Sequence, residues 1–293
     1  MIEVKNLSFY YKRNKLVLDD IDCMFRKGRI YGLLGKNGVG KTTLLHLIAG
    51  LKFPKLGNVT INLSYNANGI ENEISYTPQE RKVEFLQDVF FLNEEMPESD
   101  FTIEQMEKYN ACFYPNFSAE DFNNYLQEFE IDNKKQELKK LSFGTKKKVY
   151  IAFGLACNTK LIFLDEPTNG LDIPSKSSFR KIVMKAMTEE KTIIISTHQA
   201  RDLQNVLDSI VILDKTKVLL NADAEEITKK LWFGIEEKVS VADKVLYQED
   251  NVAGLAIVRE NKGEEESNLD VEMLFNAAFL NKNLFNELFN NKK

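Results

Sequence analysis

Residues 35–42 combine glycines, a lysine and a threonine at a spacing suited to holding phosphate groups. Gly35, Gly40, Lys41 and Thr42 match the pattern G-x-x-x-x-G-K-[ST]. Glycines allow positive φ and leave backbone N–H groups bare, so several amides can point at one anion. The lysine ammonium can reach terminal phosphates, and the threonine hydroxyl can bind Mg²⁺. The segment predicts a nucleotide phosphate site, with a flexible glycine turn as the alternative.

Two adjacent acids end the apolar run "LIFLDEP" at residues 161–167. A short run that is apolar throughout is typical of a buried parallel strand. Asp165 is predicted to hold Mg²⁺ at the carboxyl end of the sheet, with Glu166 beside it. Because adjacent acids at a strand end cannot both face the core, we expect them at the rim of a cleft. The alternative is an acidic pair that caps the start of a helix.

The stretch "KKLSFGTKKK" places Ser142 and Gly144 just before an apolar helical pattern. A helix start is an anion site, and Lys146, Lys147 and Lys148 would reinforce it. The alternative is a capped surface helix with a solvated basic face.

His198 follows "TIIIST", at the end of a second apolar strand pattern at residues 191–199. A lone histidine is more often structural than functional. Its place at the carboxyl end of a sheet strand, where ligands collect in α/β folds, favours a function.

The elements that must position these residues alternate between strand and helix patterns. The sequence predicts strands at residues 2–11, 20–26, 29–34, 57–63, 73–77, 161–167 and 191–199. It predicts a helix from about 41 to 50 and a helical region from about 102 to 157, where Ser118 is a predicted N-cap. This order favours an α/β domain with a mainly parallel sheet.

Beyond residue 231 the periodicity weakens. The remaining patterns suggest strands at 244–247 and 252–258, an acidic break at "GEEES", and amphipathic helices from about 270 to 289. The asparagine-rich end is predicted to fray. We expect residues 231–293 to form an accessory extension.

Composition excludes several classes of function. With 39 Lys plus Arg against 44 Asp plus Glu, the net charge is −5, which gives no electrostatic case for nucleic acid as a partner. No apolar run approaches the roughly 18 residues that span a bilayer, and the first residues lack the apolar stretch of a secretory signal. Three widely spaced cysteines fit reduced cytosolic thiols, and two histidines exclude a histidine-rich metal centre.

The order of these segments resembles the nucleotide-binding subunit of an ATP-binding cassette (ABC) transporter, of the bacterial type that pairs with a separate permease. The resemblance covers residues 1–230. "GKNGVGKTT" resembles the Walker A loop, Gln79 in "YTPQE" the Q-loop, "LSFGT" the signature usually written LSGGQ, "IFLDEP" Walker B, "NGLD" the D-loop, and His198 the switch histidine. Tyr11 lies where the family stacks an aromatic ring on adenine, with Tyr10 as a competing assignment.

The resemblance implies a P-loop ABC ATPase fold. Its parts would be a mainly parallel sheet core, an antiparallel β subdomain, a helical subdomain at about 85–158, and a small C-terminal α+β extension. The ATPase domain would be residues 1–230, and the extension would not be needed for ATP binding.

The family mechanism implies that two such domains sandwich two ATP molecules head to tail, each site using one chain's Walker segments and the other chain's signature. The nucleotide-binding residues would be Tyr11, Gly35, Asn37, Gly38, Gly40, Lys41, Thr42, Thr43, Ser142, Gly144 and Asp172. Thr42, Gln79 and Asp165 would hold Mg²⁺. Glu166, as general base, together with His198 and Gln79 would be catalytic.

The sequence departs from the family pattern at the signature. Phe143 replaces its first glycine and Thr145 its glutamine, which bears on the strength of dimer closure. The serine and second glycine remain, so the change is interpreted as tolerated divergence.

A separate transmembrane permease is the implied partner. Residues of about 80–115 resemble the region that docks on permeases, and "DVFFLNEEMP" has aromatic residues expected to be exposed; the alternative is a helical subdomain packing its own core. "CFYPNFSAEDF" and "LDVEMLFNAAF" are similar to segments of bacterial subunits paired with export-type permeases.

The predicted function is ATP hydrolysis that powers transport, in the export direction, on the cytoplasmic face of the cell membrane. The chain would act as a homodimer, or as a heterodimer with a related ABC subunit. The alternative is a soluble ABC ATPase in a multiprotein assembly without transport. A regulatory module that binds ATP without hydrolysis is disfavoured, because Glu166 and His198 are both present.

Overall fold

The computed structural model describes residues 1–12, 15–67, 70–237, 244–261, 263 and 265–290. The strands are β1 (Ile2–Lys12), β2 (Lys15–Phe25), β3 (Arg29–Leu34), β4 (Leu56–Ala67), β5 (Ile70–Tyr76), β6 (Val89–Leu92), β7 (Leu161–Asp165), β8 (Thr192–Thr197), β9 (Ser209–Asp214), β10 (Lys217–Asp223), β11 (Leu231–Glu236), β12 (Val245–Asn251) and β13 (Gly254–Glu260). The helices are α1 (Lys41–Ile48), α2 (Val83–Gln87), α3 (Ile103–Asn110), α4 (Ala119–Glu128), α5 (Phe143–Ala156), α6 (Ile173–Ala186), α7 (Ala224–Lys230), α8 (Val271–Leu280) and α9 (Lys282–Phe285).

A six-stranded sheet in the order β10-β9-β3-β8-β7-β6 lies at the centre of the chain. Every neighbouring pair is parallel except β9 and β10. Strands β7 and β8 are buried along their whole length, as their continuous apolar sequence predicts. Because β3, β7 and β8 are parallel neighbours, their carboxyl ends meet at one edge, where the candidate site forms. The predicted α/β fold with a mainly parallel sheet is confirmed.

An antiparallel sheet in the order β2-β1-β4-β5 packs beside this core. Apolar residues of α1, such as Leu44 and Leu47, share a buried cluster with Phe25 of β2 and Phe163 of β7. The antiparallel β subdomain is therefore confirmed. Strand β2 begins five residues before the predicted strand at 20, because its first residues pair with β1 although Lys15 and Leu16 are exposed. Strands β9, β10 and β11 were not predicted.

The segment "DVFFLNEEMP" differs from its prediction. Residues Val89–Leu92 form β6, an edge strand of the central sheet parallel to β7. Phe90 and Leu92 are buried, and Phe91 is half-buried. The expectation of exposed aromatic residues is wrong, because the strand pairs with β7 and packs beneath α5. Within the range predicted as helical, 85–158, residues Val89–Leu92 are a strand.

Helices α3, α4 and α5 follow β6 and form a packed helical region. Ser118 caps α4 as predicted, since its hydroxyl accepts a hydrogen bond from the Asp121 N–H at 3.1 Å. Phe122 of α4 meets Phe153 of α5 edge-on, with ring centroids 5.8 Å apart. Among the helices of the described ranges, none is long and apolar enough to cross a membrane.

The C-terminal part forms an antiparallel sheet, β11-β13-β12, followed by α8 and α9. Strand β11 begins at Leu231, the predicted boundary; the division into two domains stays a prediction. Leu274, Phe285 and Phe289 belong to the same buried apolar cluster as the central sheet. The extension therefore shares a core with the rest of the chain. The predicted fraying concerns the C-terminal end, and residues 291–293 of that end lie outside the described residues.

The shared core predicts that the extension contributes to global stability. Phe285→Ala removes a fully buried ring that lies against Phe289, and should lower the free energy of unfolding by about 3–5 kcal/mol. Urea unfolding of the full chain measures this. Leu280→Ala, at a residue 70% exposed on α8, is the control and should change it by less than about 0.5 kcal/mol. A Phe285→Ala chain with an unchanged main transition would show that the extension folds independently.

Candidate functional site

The loop between β3 and α1 forms the floor of the candidate site. Gly40 precedes α1 with a φ of +112°, a left-handed conformation that favours glycine. Gly35 has no room for a side chain, because a Cβ there would lie 2.9 Å from the carbonyl oxygen of Leu213. Among the described residues, no side chain caps the start of α1. Its first N–H groups and the positive end of its dipole are thus suited to an anion.

Lys41 places a positive charge in this loop. Its side chain is only 6% exposed, and its ammonium donates to the carbonyl oxygen of Gly35 at 2.8 Å. The same ammonium lies 3.4 Å from Oε1 of Glu166. A buried charge is tolerated only when it is paired and hydrogen-bonded. The loop and the end of β7 are therefore held together by opposite charges.

Asp165 joins three elements at the end of β7. Its Oδ2 accepts a hydrogen bond from the Thr42 hydroxyl at 2.7 Å, and its Oδ1 accepts one from the Ser196 hydroxyl of β8. Asp165 and Glu166 are both buried, so the expectation that they lie at the cleft rim is wrong. The hydroxyl of Ser196 and the ammonium of Lys41 compensate their burial.

The Thr42 hydroxyl and the Asp165 carboxylate fit Mg²⁺. These are hard oxygen ligands, and Mg²⁺ in nucleotide sites uses one or two carboxylates together with substrate phosphates and water. Within the part of the chain that the structure describes, no group of three or more His, Cys, Asp or Glu side chains could hold a metal ion. The donor set suits a cation that arrives with a nucleotide.

Glu166 begins the turn after β7. Its φ of +46° is left-handed, and its N–H donates to the carbonyl oxygen of Ser196 at 3.0 Å. His198 Nδ1 lies 3.0 Å from each Glu166 carboxylate oxygen. The structure thus brings together Lys41, Asp165, Glu166 and His198, as predicted. A carboxylate beside an imidazole is an arrangement suited to accepting a proton.

Tyr11 lies against the first turn of α1. Its hydroxyl is 3.0 Å from the Thr43 hydroxyl, and Lys52 Nζ lies 5.2 Å from its ring centroid. The Tyr11 residue is 58% exposed, so its ring could stack on a base. The contact with Thr43 favours Tyr11 over the competing Tyr10, whose ring lies near Lys55.

Gln79 is not brought to the Thr42–Asp165 pair. Its amide nitrogen donates to the carbonyl oxygens of Leu47 and Lys52, at 3.0 and 3.4 Å. Leu47 is five residues along α1 from Thr42, about 7.5 Å at 1.5 Å per residue. Gln79 lies at the far end of α1 in this arrangement, with its amide nitrogen engaged and its oxygen as the group suited to a cation.

The signature and D-loop residues cap their own helices. The Ser142 hydroxyl accepts from the Thr145 N–H at 3.1 Å, and the Asp172 carboxylate from the Ser175 N–H at 2.9 Å. Hydrogen bonds from Ser175 lower the pKa of Asp172. A Cβ on Gly144 would lie 2.6 Å from the carbonyl oxygen of Gly170, so the two segments approach closely.

Asn37 and Gly38 form the exposed tip of the phosphate loop. Gly38 has a φ of +76°, which suits the loop turn. No heavy atom lies within 4 Å of a Cβ built on Gly38, apart from its chain neighbours.

The prediction that Lys147 reinforces an anion site at the start of α5 is wrong. Lys147 is fully buried, and its ammonium donates to the carbonyl oxygen of Glu166 at 2.9 Å. The sequence carried a signal for this: Lys147 lies four residues after Phe143 and four before buried Ile151, on one line of α5. Ser196 was also missed, although its hydroxyl stands two residues before His198 at the carboxyl end of β8.

Comparison with known proteins gives consistent matches. The ABC transporter family profile matches residues 18–169. An uncharacterized ABC transporter ATP-binding protein of Methanocaldococcus jannaschii is 30% identical over 288 residues, covering 96% of this chain and 98% of the relative. The lipopolysaccharide export system ATP-binding protein LptB of Haemophilus influenzae is 28% identical, covering 82% and 99%.

Two further similar proteins are also ATP-binding subunits by their names. The high-affinity zinc uptake system ATP-binding protein ZnuC of Bacillus subtilis is 28% identical, covering 73% of this chain and 91% of the relative. A solved structure of the ATP-binding subunit of an ABC transporter superimposes with a TM-score of 0.66 at 25% identity, covering 78% of this chain and 91% of the other.

The position of Lys41 predicts its effect on nucleotide affinity. Lys41→Ala should weaken ATP binding by about 10- to 150-fold, because a hydrogen bond to a charged group is worth about 1.5–3 kcal/mol and 1.4 kcal/mol corresponds to a factor of ten. Titration with a fluorescent ATP analogue measures the dissociation constant. Lys36→Ala, at an exposed lysine of the same loop, is the matched control and should stay within about threefold of the parent. Equal affinity in the Lys41→Ala chain would contradict the phosphate-site assignment.

Proposed function

Because this chain belongs to the family of ABC transporter ATP-binding proteins, which are ATPases, we propose that it hydrolyses ATP at the Lys41–Asp165–Glu166–His198 site to drive a separate permease. The observation that carries the proposal is the geometry of that site. A buried ammonium, a carboxylate beside an imidazole, and an uncapped helix start lie around one edge of the sheet.

Nucleotide binding would use the floor of the site. The amides at the start of α1 and the Lys41 ammonium would hold the β- and γ-phosphates, with the Tyr11 ring against the adenine. Phosphate oxygens would then take the place of the Gly35 carbonyl and the Glu166 carboxylate as partners of Lys41. That exchange would release the Glu166 carboxylate to meet a water molecule.

Hydrolysis would use the residues at the ends of β7 and β8. Glu166 would accept a proton from a water molecule while the water oxygen attacks the γ-phosphorus. The bond between the γ-phosphorus and the bridging oxygen would break, and that oxygen would leave with ADP. His198, beside Glu166, would orient the water and contact the γ-phosphate. Thr42 and Asp165, with Gln79 after movement of its side chain, would hold Mg²⁺, which would neutralise charge on the phosphates.

Each complete site is proposed to need two chains. Ser142 and Gly144 lie at the start of α5, and Asp172 lies at the start of α6. We propose that they act on a nucleotide held by another copy of the chain. Phe143 and Ile173, beside these residues, are large apolar side chains exposed at 50% and 84%. Large apolar side chains that are exposed beside functional residues suit a protein interface. The dimer would be a homodimer, or a heterodimer with a related subunit.

A groove beside β6 is the proposed permease site. It has a volume of about 220 Å³ and lies between β6, α3 and α5. Its lining mixes apolar, aromatic, amide and acidic side chains, among them Phe91, Glu95, Met96, Met106 and Asn110. A groove of this kind suits a few apolar side chains on a short helix of a partner. The chain would then lie on the cytoplasmic face of the membrane. Export stays the proposed direction, although the similar proteins serve both export and uptake systems.

Replacement of the proposed base separates binding from chemistry. Glu166→Gln keeps the shape of the side chain but removes the proton acceptor, so ATP hydrolysis should fall by about 10²–10⁴-fold. ATP affinity should remain within about tenfold, and size-exclusion chromatography with ATP should show more dimer, because one negative charge near the phosphates is lost. Phosphate release measures the rate. Glu190→Gln, at an exposed ion pair with Lys27, is the control, and parental hydrolysis by the Glu166→Gln chain would remove the assignment.

The groove predicts which surface binds the permease. Membranes of the source cells, solubilised in detergent, should yield a polytopic membrane protein with the tagged parent chain. Met96→Asp replaces an apolar side chain of the groove by a second acidic one and should lower this recovery by at least about tenfold. Met184→Asp, at an exposed methionine of α6, is the matched control. Recovery of a soluble assembly without any membrane protein would support the non-transport alternative instead.

A further inference from the structure

Lys147 is buried at the junction of the signature helix and the proposed catalytic turn. Its ammonium donates to the carbonyl oxygen of Glu166 at 2.9 Å and lies 4.8 Å from the centroid of the Phe143 ring. The residue has no exposed surface. Nothing in the proposed reaction requires a lysine here, so its burial calls for a reason.

The backbone of Glu166 is held on both sides. Its N–H donates to Ser196 of β8, and its carbonyl oxygen accepts from Lys147 of α5 and, at 3.3 Å, from the N–H of Asn169. The φ of +46° places a non-glycine residue in the left-handed region. Such conformations cost roughly 1–3 kcal/mol and persist where the surroundings enforce them. Lys147 is the side-chain donor among the groups that enforce this one.

The energetics of the lysine support a specific role. Burial lowers the pKa of the Lys147 ammonium, while the negative charges of Glu94, Glu166 and Asp165 act in the opposite direction. An ammonium removed from water needs hydrogen bonds and a favourable field. The Glu166 carbonyl supplies the first, and the acids and the face of the Phe143 ring supply the second.

We propose that Lys147 is a positioning residue for ATP hydrolysis, fixing the backbone of Glu166 and linking it through Phe143 to the signature segment. The inference rests on the proposed function of Glu166. It also gives a physical reason for Phe143, which stands where the family pattern has glycine: the ring covers the ammonium. The side chain that departs from the pattern and the buried lysine form one unit.

The link has a consequence for closure of two chains. Phe143 is half exposed, beside Ser142, on the surface proposed to meet the second nucleotide. A displacement of the start of α5 on closure would be passed through the Lys147 ammonium to the Glu166 carbonyl. The signature of a chain would therefore affect the base of that same chain, in addition to acting on its partner's nucleotide.

The test compares two buried lysines. Lys147→Met keeps the apolar stem and removes the ammonium, and Lys191→Met does the same at a matched position. Lys191 is also buried and donates to a backbone carbonyl, that of Ala186, at 2.8 Å. It precedes β8, at the end of the sheet opposite the site. ATP turnover of the full chain is measured over a range of ATP concentrations, below the unfolding midpoint of each variant.

Lys147→Met is expected to lower kcat by about tenfold with KM for ATP within about twofold, the pattern of a group that acts on the chemical step. Lys147→Arg, which keeps a cationic donor, should recover at least about half of the lost rate. Lys191→Met should keep kcat within about twofold of the parent. Unchanged kcat in Lys147→Met, or equal losses in both methionine variants, would overturn the inference.

A second variant tests the inference if the Lys147→Met chain does not fold. Phe143→Leu leaves the ammonium in place and removes only the aromatic face, and it should lower kcat by about threefold. Parental kcat in Phe143→Leu would then count against the link. Failure of the proposed function gives a different result. The parent chain would then hydrolyse no ATP, or its hydrolysis would be unaffected by Glu166→Gln.

Discussion

Burial of opposite charges at one edge of the central sheet is the constraint on which the site depends. Lys41, Asp165 and Glu166 are each less than a tenth exposed. The desolvation of one uncompensated ion amounts to several kcal/mol, so the loop after β3 and the turn after β7 must stay together. The parallel order of β3, β8 and β7 achieves this, and the Ser196 hydroxyl on the middle strand completes the polar contacts of Asp165.

The same edge is connected to parts of the chain that are distant in sequence. The Lys147 ammonium joins α5 to Glu166, and the close approach of Gly144 to Gly170 joins the signature to the D-loop. From the C-terminal extension, Phe279 of α8 lies under the Lys36 ammonium of the phosphate loop, 5.1 Å from ring centroid to Nζ. Movement of this loop on nucleotide binding would therefore change the contacts of α5, of the turn at Glu166 and of the C-terminal extension.

The sequence was sufficient to predict the fold class and the residues that meet at the sheet edge. Glycine spacing and apolar strands that end in acids are local patterns, and the structure brings Lys41, Asp165 and Glu166 together as expected. What could not be predicted depends on pairing between distant segments. Strand β6 looked like exposed aromatic sequence because its pairing with β7 and its packing beneath α5 are what bury it. Lys147 looked like a surface cation because its acceptor lies 19 residues away.

One complete ATP site, we propose, is built from two chains. A Lys41→Ala chain lacks the phosphate cation, and a Ser142→Arg chain has a blocked signature, so each should be inactive alone. When the two are mixed, half of the dimers should pair one intact phosphate loop with one intact signature. The mixture should then recover about a quarter of the parental ATP turnover, if chains exchange freely and sites act independently. A Ser142→Arg chain with parental turnover, or a mixture no more active than its two components, would contradict the claim.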